Sequence, residues 1–126
     1  MTAEELIVSA LAIKGETPDM AEQYRDFSLA ALNILLAETL VLENQLRYAA
    51  GEPQLETAPT LTTLSGEIPY HEALLRTCLV YGMAARLTAE DNDLAHFNYY
   101  NAMYPQAFLN TPGVSEPVRD AVWGDV

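Results

Sequence analysis

The chain has 126 residues, half of them apolar, which is enough for a single folded domain with a modest core. Its 18 acidic and 6 basic residues give a formal net charge of −12. This balance argues against a protein that wraps nucleic acid or binds anionic membranes, because both need clustered Lys and Arg. The most apolar run, residues 29–42, is too short to cross a bilayer.

The first predicted helix begins at Thr2 and ends at Gly15. Thr2 and Glu5 have the spacing of a capping box, in which each side chain accepts a hydrogen bond from the other residue's backbone N–H. Leu6 and Leu11 belong to one apolar face, and glycine commonly follows the end of a helix. The first residues lack the basic start and apolar centre of a signal peptide, so we expect assembly in the cytoplasm.

A long second helix is predicted from about Asp19 to about Ala49, and it carries two apolar stripes. The first stripe consists of Tyr24, Phe27, Ala31, Ile34, Leu35, Val41 and Leu42. The second consists of Leu29, Leu32, Leu36 and Leu40. Because a surface helix needs one apolar stripe, two stripes indicate burial on opposite sides. We expect a neighbouring copy to cover the second stripe, which makes its four leucines the predicted subunit interface.

Residues 50–68 interrupt the helical pattern. Glycines and prolines recur through this segment, and its Thr-rich alternation favours extended backbone. The sequence therefore predicts a long loop between the second and third helices, with a short β-hairpin as one alternative. Loops of this length in a small domain are usually functional or flexible.

Two more helices are predicted, from about Pro69 to about Thr88 and from about Leu94 to Tyr104. Asp91 or Asp93 caps the second of them, and Pro105 ends or kinks it. The sequence thus predicts an all-α fold, a small helical bundle of about four helices with one long extended loop and an extended C-terminal tail.

The first of these two helices carries small residues, and the second carries aromatic rings. Gly82, Ala84 and Ala85 let two helix axes approach closely, and rings such as Phe97 and Tyr104 fill the groove so formed. We therefore expect a tightly packed helical hairpin at this end of the chain.

The tail is predicted to be separate from the helical domain. Residues 1–110 form that domain, including the loop at 50–68, and Pro112, Gly113 and Pro117 set residues 111–126 apart. The tail contains apolar residues and the only tryptophan of the chain. It is either an anchor for a partner or a segment that folds back on its own domain.

The sequence offers no constellation of catalytic residues. His71 and His96 stand alone, no cysteine accompanies Cys78, and the acidic turn at residues 91–93 lacks the rest of a calcium loop. Glu38 is expected to pair with an arginine, Arg76 or Arg86, or to point to solvent. We therefore expect no enzyme activity, no cofactor and no metal.

Three segments together have a familiar pattern: "ALNILLAE" at residues 31–38, "SGEIPYHEALLRTCLVYGMAARL" at 65–87 and "EDNDLAHFNYYNAMY" at 90–104. This pattern resembles the head–tail connector (adaptor) proteins of long-tailed bacteriophages. The matching residues are Ile68, Pro69, Tyr81, Gly82, Ala84, Ala85, Leu87, Asp91, Asp93, Phe97 and Tyr104. The pattern is one of packing rather than of catalysis.

The resemblance implies a homo-oligomeric ring, usually of twelve copies, that docks beneath the portal protein in the neck of the virion. Such a ring extends the channel through which double-stranded DNA passes without specific binding, and it presents a platform to the next neck or tail-completion protein. The implied portal-binding residues of the tail are Val114, Val118, Arg119, Val122 and Trp123. The implied channel or next-ring residues of the loop are Thr57, Thr60, Thr62 and Thr63. We expect the loop to become ordered only in the assembly.

A different class of protein also fits the composition. A small acidic helical module that captures a basic or DNA-binding partner, as an inhibitor does, would use the negative charge directly. This alternative predicts strongly salt-dependent binding.

Overall fold

The computed structural model describes the backbone of residues 1–109 and the side chains of residues 1–104, and it shows an all-α fold, as predicted. The α-helices are α1 (Ala3–Ile13), α2 (Met20–Gln23), α3 (Arg25–Glu38), α4 (Leu40–Ala49), α5 (Glu72–Leu74), α6 (Val80–Glu90) and α7 (Leu94–Leu109). A π-helical segment, Leu75–Leu79, joins α5 to α6. Residues 1–109 contain no strand, and the Thr2–Glu67 bridge is isolated, so no β-hairpin forms in the loop.

The predicted start of α1 is confirmed. The Thr2 hydroxyl accepts a hydrogen bond from the Glu5 N–H at 3.1 Å, and a Glu5 carboxylate oxygen accepts one from the Thr2 N–H at 3.0 Å. Gly15 follows the helix with φ +82°, a backbone conformation that favours glycine. The capping box and the glycine therefore set the limits of this helix from local sequence alone.

The predicted second helix is not continuous. It is divided into α2, α3 and α4 by Tyr24 and Thr39, whose ψ values lie near zero. The buried Thr39 hydroxyl donates a hydrogen bond to the Leu35 carbonyl at 2.7 Å, a contact that bends helices. Hydrophobic periodicity continues across both breaks, which is why the sequence suggested one long helix.

The second apolar stripe, which was predicted to face a neighbouring copy, lies in or against the core of the chain itself. Leu32 and Leu36 are 0% exposed and Leu29 is 9% exposed within a single chain, and Leu40 is partly buried against the core. The prediction of these four leucines as a subunit interface is therefore wrong, because α1 and α6 of the same chain pack against α3. The uncovered apolar residues lie on the opposite side of α3 and α4.

The helical hairpin of α6 and α7 packs closely, as predicted. A Cβ added to Gly82 would lie 2.6 and 2.8 Å from two ring carbons of Tyr104 and 3.0 Å from a methyl carbon of Leu35. Only glycine fits at that position without a shift of its neighbours. Gly82 therefore lets α6 lie directly against the ring of Tyr104 and against α3.

The turn between α6 and α7 uses one of the two predicted caps. The Asp93 carboxylate accepts a hydrogen bond from the His96 N–H at 3.2 Å, the contact expected of an N-cap. Helix α7 then continues past Pro105 to Leu109, so the predicted end at Tyr104 is wrong. In the part of the chain that the structure describes, no helix has both the length and the apolarity needed to cross a membrane.

Candidate assembly surface

The most conspicuous exposed feature is an apolar stripe along α3 and α4. Phe27, Ile34, Val41 and Tyr48 are spaced seven residues apart and are 36, 57, 61 and 74% exposed. Within one helix a spacing of seven places side chains nearly above one another, so Phe27 and Ile34 share a face of α3, and Val41 and Tyr48 share a face of α4. We call these four residues the outer stripe.

Small residues widen the outer stripe. Ala30 and Ala37 are also exposed on this side of α3, where they leave room for a neighbouring backbone. Glu38 lies beside them, and its carboxylate is bound by the Arg86 guanidinium at 2.5 Å, which is one of the two pairings expected from the sequence. The carboxylate of Glu38 is therefore already paired within the chain.

The loop at residues 50–68 is fastened to the same helices by two asparagines. The Asn44 side chain accepts a hydrogen bond from the Leu55 N–H at 2.8 Å and donates one to the Leu55 carbonyl at 2.9 Å. Asn33 makes the same pair of bonds with Leu61, at 2.8 and 2.9 Å. Since Leu55 meets α4 and Leu61 meets α3, the loop runs back along the two helices, against their direction.

This arrangement decides which loop residues face outwards. Leu55, Leu61 and Leu64 are partly buried against the core. The four predicted channel or next-ring residues are all exposed: Thr57, Thr60, Thr62 and Thr63. In this structure side-chain hydrogen bonds within one chain hold the loop, and its ordering only in the assembly stays a prediction. The sequence signal that was overlooked is the two asparagines, Asn33 on α3 and Asn44 on α4.

The base of the loop is closed by a polar cluster around Glu43, whose side chain is 0% exposed. Its carboxylate accepts hydrogen bonds from the Arg47 guanidinium at 2.7 Å and from the His71 backbone N–H at 2.8 Å. The His71 ring places Nδ1 2.9 Å from a Glu43 oxygen and Nε2 2.7 Å from a Glu52 oxygen. We call Glu43, Arg47, Glu52 and His71 the loop-base cluster.

The loop-base cluster affects the pKa of His71. Burial alone would lower it, but the hydrogen bonds to Glu43 and Glu52 raise it, and the net effect is a pKa above the ordinary value. Sequence analysis treated this histidine as isolated because its partners lie 28 and 19 residues away. No motif connects positions at such distances.

The basic residues are mostly used inside the chain. Each Lys or Arg within residues 1–104 pairs with a carboxylate of the same chain; these residues are Lys14, Arg25, Arg47, Arg76 and Arg86. The acidic residues exceed the basic ones threefold in the whole sequence. Most carboxylates within residues 1–104 are also in ion pairs, but acidic side chains outnumber basic ones there, so the described surface carries a net negative charge.

No metal or nucleophile site accompanies these surfaces in the described part of the chain. Residues 1–104 contain no group of three or more His, Cys, Asp or Glu side chains placed to hold a metal ion. Cys78 is buried, and burial raises the pKa of its thiol to about 12, so it is not an activated nucleophile. The predicted portal-binding residues Val114, Val118, Arg119, Val122 and Trp123 lie outside the described residues, as does the boundary at residues 110–111.

Comparison with known proteins gives no relative. A scan against family models, a search of curated proteins and a search of solved structures each returned no match. The candidate function therefore depends on the geometry described above and on the sequence resemblance.

Proposed function

We propose that the chain is a structural, non-enzymatic subunit of a phage head–tail connector ring that docks beneath the portal and extends the DNA channel. The single observation that carries the proposal is the outer stripe, an apolar helical face left uncovered after the chain's own core is complete. A soluble, strongly acidic chain gains little from exposing four large apolar side chains in register unless another subunit covers them.

The outer stripe has the dimensions of a subunit contact. From Phe27 to Tyr48 it extends about 30 Å along the two helices. Covering it on one subunit with an equal area of a neighbour would bury roughly 1,000 Å² in total, close to the lower limit of specific interfaces. Contacts from the adjoining loop would add to this area, since Thr57 and Thr60 are exposed beside α3 and α4.

The charge of the chain is compatible with a DNA channel. A wall that presents mainly carboxylates repels phosphates, so duplex DNA passes it without being held. In this proposal the exposed threonines of the loop, which are uncharged, face the channel or the next ring. In this proposal the tail, with Val118, Val122 and Trp123, binds the portal.

The first experiment tests the outer stripe. The double substitution Ile34→Asp with Val41→Asp should abolish self-association measured by sedimentation and negative-stain microscopy at high protein concentration. Leu94→Asp is the matched control, because Leu94 is 69% exposed but lies on α7, away from the stripe. The proposal is supported if the wild-type chain and the Leu94 variant form rings and the double variant does not. Self-association that survives in the double variant contradicts it.

The second experiment tests the docking partner, because some ring subunits assemble only on a template. The chain is mixed with rings of a phage portal protein, and full-length chain is compared with chain truncated after Asn110. Binding that is lost on truncation supports the role of the tail. Equal binding of both forms rejects the tail as the anchor while leaving the ring itself open to the first experiment.

The alternative function, an acidic module that captures a basic partner, is favoured by one observation. The arginines and the lysine within residues 1–104 are paired internally, so the surplus carboxylates remain available. Binding to a basic protein that weakens steeply with salt, and that persists in the Ile34 and Val41 variants, would favour this function over the ring.

A further inference from the structure

The two ends of the loop meet at the loop-base cluster. The Arg47 guanidinium donates to the Pro53 carbonyl at 3.2 Å and to the Pro69 carbonyl at 2.5 Å, so one side chain spans the loop's entrance and exit. His71 follows the exit and contacts Glu52 at the entrance. The cluster is therefore the closure of the loop, and the two asparagine contacts hold its middle.

The His71 ring is placed between two acceptors. Both ring nitrogens lie within hydrogen-bond distance of carboxylate oxygens, 2.9 Å to Glu43 and 2.7 Å to Glu52. Only the imidazolium form has two N–H groups and satisfies both contacts. A neutral ring has one N–H, so one carboxylate would then face a nitrogen lone pair at close range.

We propose that His71 is a proton-dependent latch that holds the entrance of the loop at Glu52 when the ring is protonated and releases it when the ring is neutral. The side chain of Glu43 is 0% exposed and that of Glu52 is 48% exposed. A buried carboxylate that loses a donor is costly, whereas an exposed one gains water. The neutral ring therefore keeps its N–H on Glu43, and Glu52 separates from it.

The direction of the pH effect follows from the surrounding charges. The charged groups facing the ring are Glu43 and Arg47 of α4 and Glu52 of the following turn. Tyr70, the preceding residue, donates its hydroxyl to the Leu36 carbonyl instead. Because the folded pKa of His71 is raised, the latch is fully closed below the ordinary histidine pKa and opens as the pH rises through the folded value.

Opening is confined to the entrance of the loop. Leu55 lies three residues after Glu52 and is held by Asn44, whereas Leu61 is held separately by Asn33 on α3. Release of the Glu52 carboxylate therefore removes one contact at the entrance, whereas the Glu52 N–H stays on the Arg47 carbonyl at 2.8 Å and the Pro53 carbonyl stays on the Arg47 guanidinium. The Leu61 contact stays in place. This inference rests on the fold alone and does not depend on the connector function.

Amide hydrogen exchange followed by NMR tests the latch. After correction for the intrinsic exchange rate, the protection factor of the Leu55 amide should fall between about pH 5.5 and about pH 8.5, because the segment leading to it loses the Glu52 contact. The Leu61 amide is the internal reference and should change little. In His71→Gln the protection of Leu55 should no longer depend on pH. His96→Gln is the matched control, because His96 pairs with Asp93 outside the loop, and this variant should retain the wild-type pH profile.

Two outcomes overturn the proposal. One is a Leu55 protection factor that is constant with pH in the wild-type chain, and the other is a pH dependence that persists in His71→Gln. If that variant does not fold, NMR titration of the His71 ring signals in wild type and in Glu52→Gln tests the proposal instead. The pKa of His71 should fall in Glu52→Gln, and an unchanged pKa would contradict the contact on which the latch depends.

Discussion

Substitution of Gly82 by alanine tests the close packing of α6 against α7. The added methyl carbon would lie 2.6 and 2.8 Å from two ring carbons of Tyr104, distances at which the ring or the helix must move. Overpacking of this kind costs about 1–3 kcal/mol. Alanine also favours the helix over glycine by about 1 kcal/mol. We therefore expect a net loss of about 1 kcal/mol, which lowers the melting temperature by roughly 3–5 °C in a domain of this size.

The same substitution in a Tyr104→Ala background separates the two contributions. Without the ring only the contact with the Leu35 methyl carbon at 3.0 Å remains, so Gly82→Ala should become neutral or stabilising by up to about 1 kcal/mol. Urea denaturation of the four proteins, followed by circular dichroism, measures the free energies of unfolding. An effect of the same sign and size in both backgrounds would show that the ring of Tyr104 is not what excludes a side chain at this position.

Two further predictions concern the loop and the core. Asn44→Ala removes both hydrogen bonds to Leu55, so we expect a loss of about 1–3 kcal/mol in unfolding free energy and faster amide exchange at Leu55. The Leu61 amide, which Asn33 holds, serves as the reference. Unchanged exchange at Leu55 would contradict the contact. Cys78, buried with its pKa raised to about 12, should react with a thiol reagent at about pH 8 only after denaturant is added; rapid labelling of the native chain would show that the thiol is accessible.

Local signals in the sequence predicted the starts of α1 and α7. The Thr2–Glu5 capping box and the Asp93 cap are contacts between residues three positions apart, so their spacing is visible in the sequence. The close fit at Gly82 was also foreseeable, because the group of small residues Gly82, Ala84 and Ala85 indicates a near approach of two helices. These features depend on neighbours in sequence or on residue size alone.

The contacts that sequence analysis missed join distant parts of the chain. Which stripe of α3 faces the core depends on where α1 and α6 lie, so hydrophobic periodicity left the roles of Leu32 and Ile34 undecided and the choice made was wrong. The bonds of Asn33 and Asn44 reach across 28 and 11 residues. An amide on a helix has many acceptable partners, and nothing local identifies the one that it uses.

The π-helical segment Leu75–Leu79 limits where a residue can be deleted from this chain. A π-turn accommodates one more residue than an α-turn does, and removal of that residue would rotate everything after it by about 100° around the helix axis. Gly82 would then turn away from Tyr104. A chain that lacks one residue of this segment and keeps the fold must therefore carry the small residue that faces the Tyr104 ring at a different distance from the segment. A sequence alignment that places the gap elsewhere would then pair residues that face different neighbours.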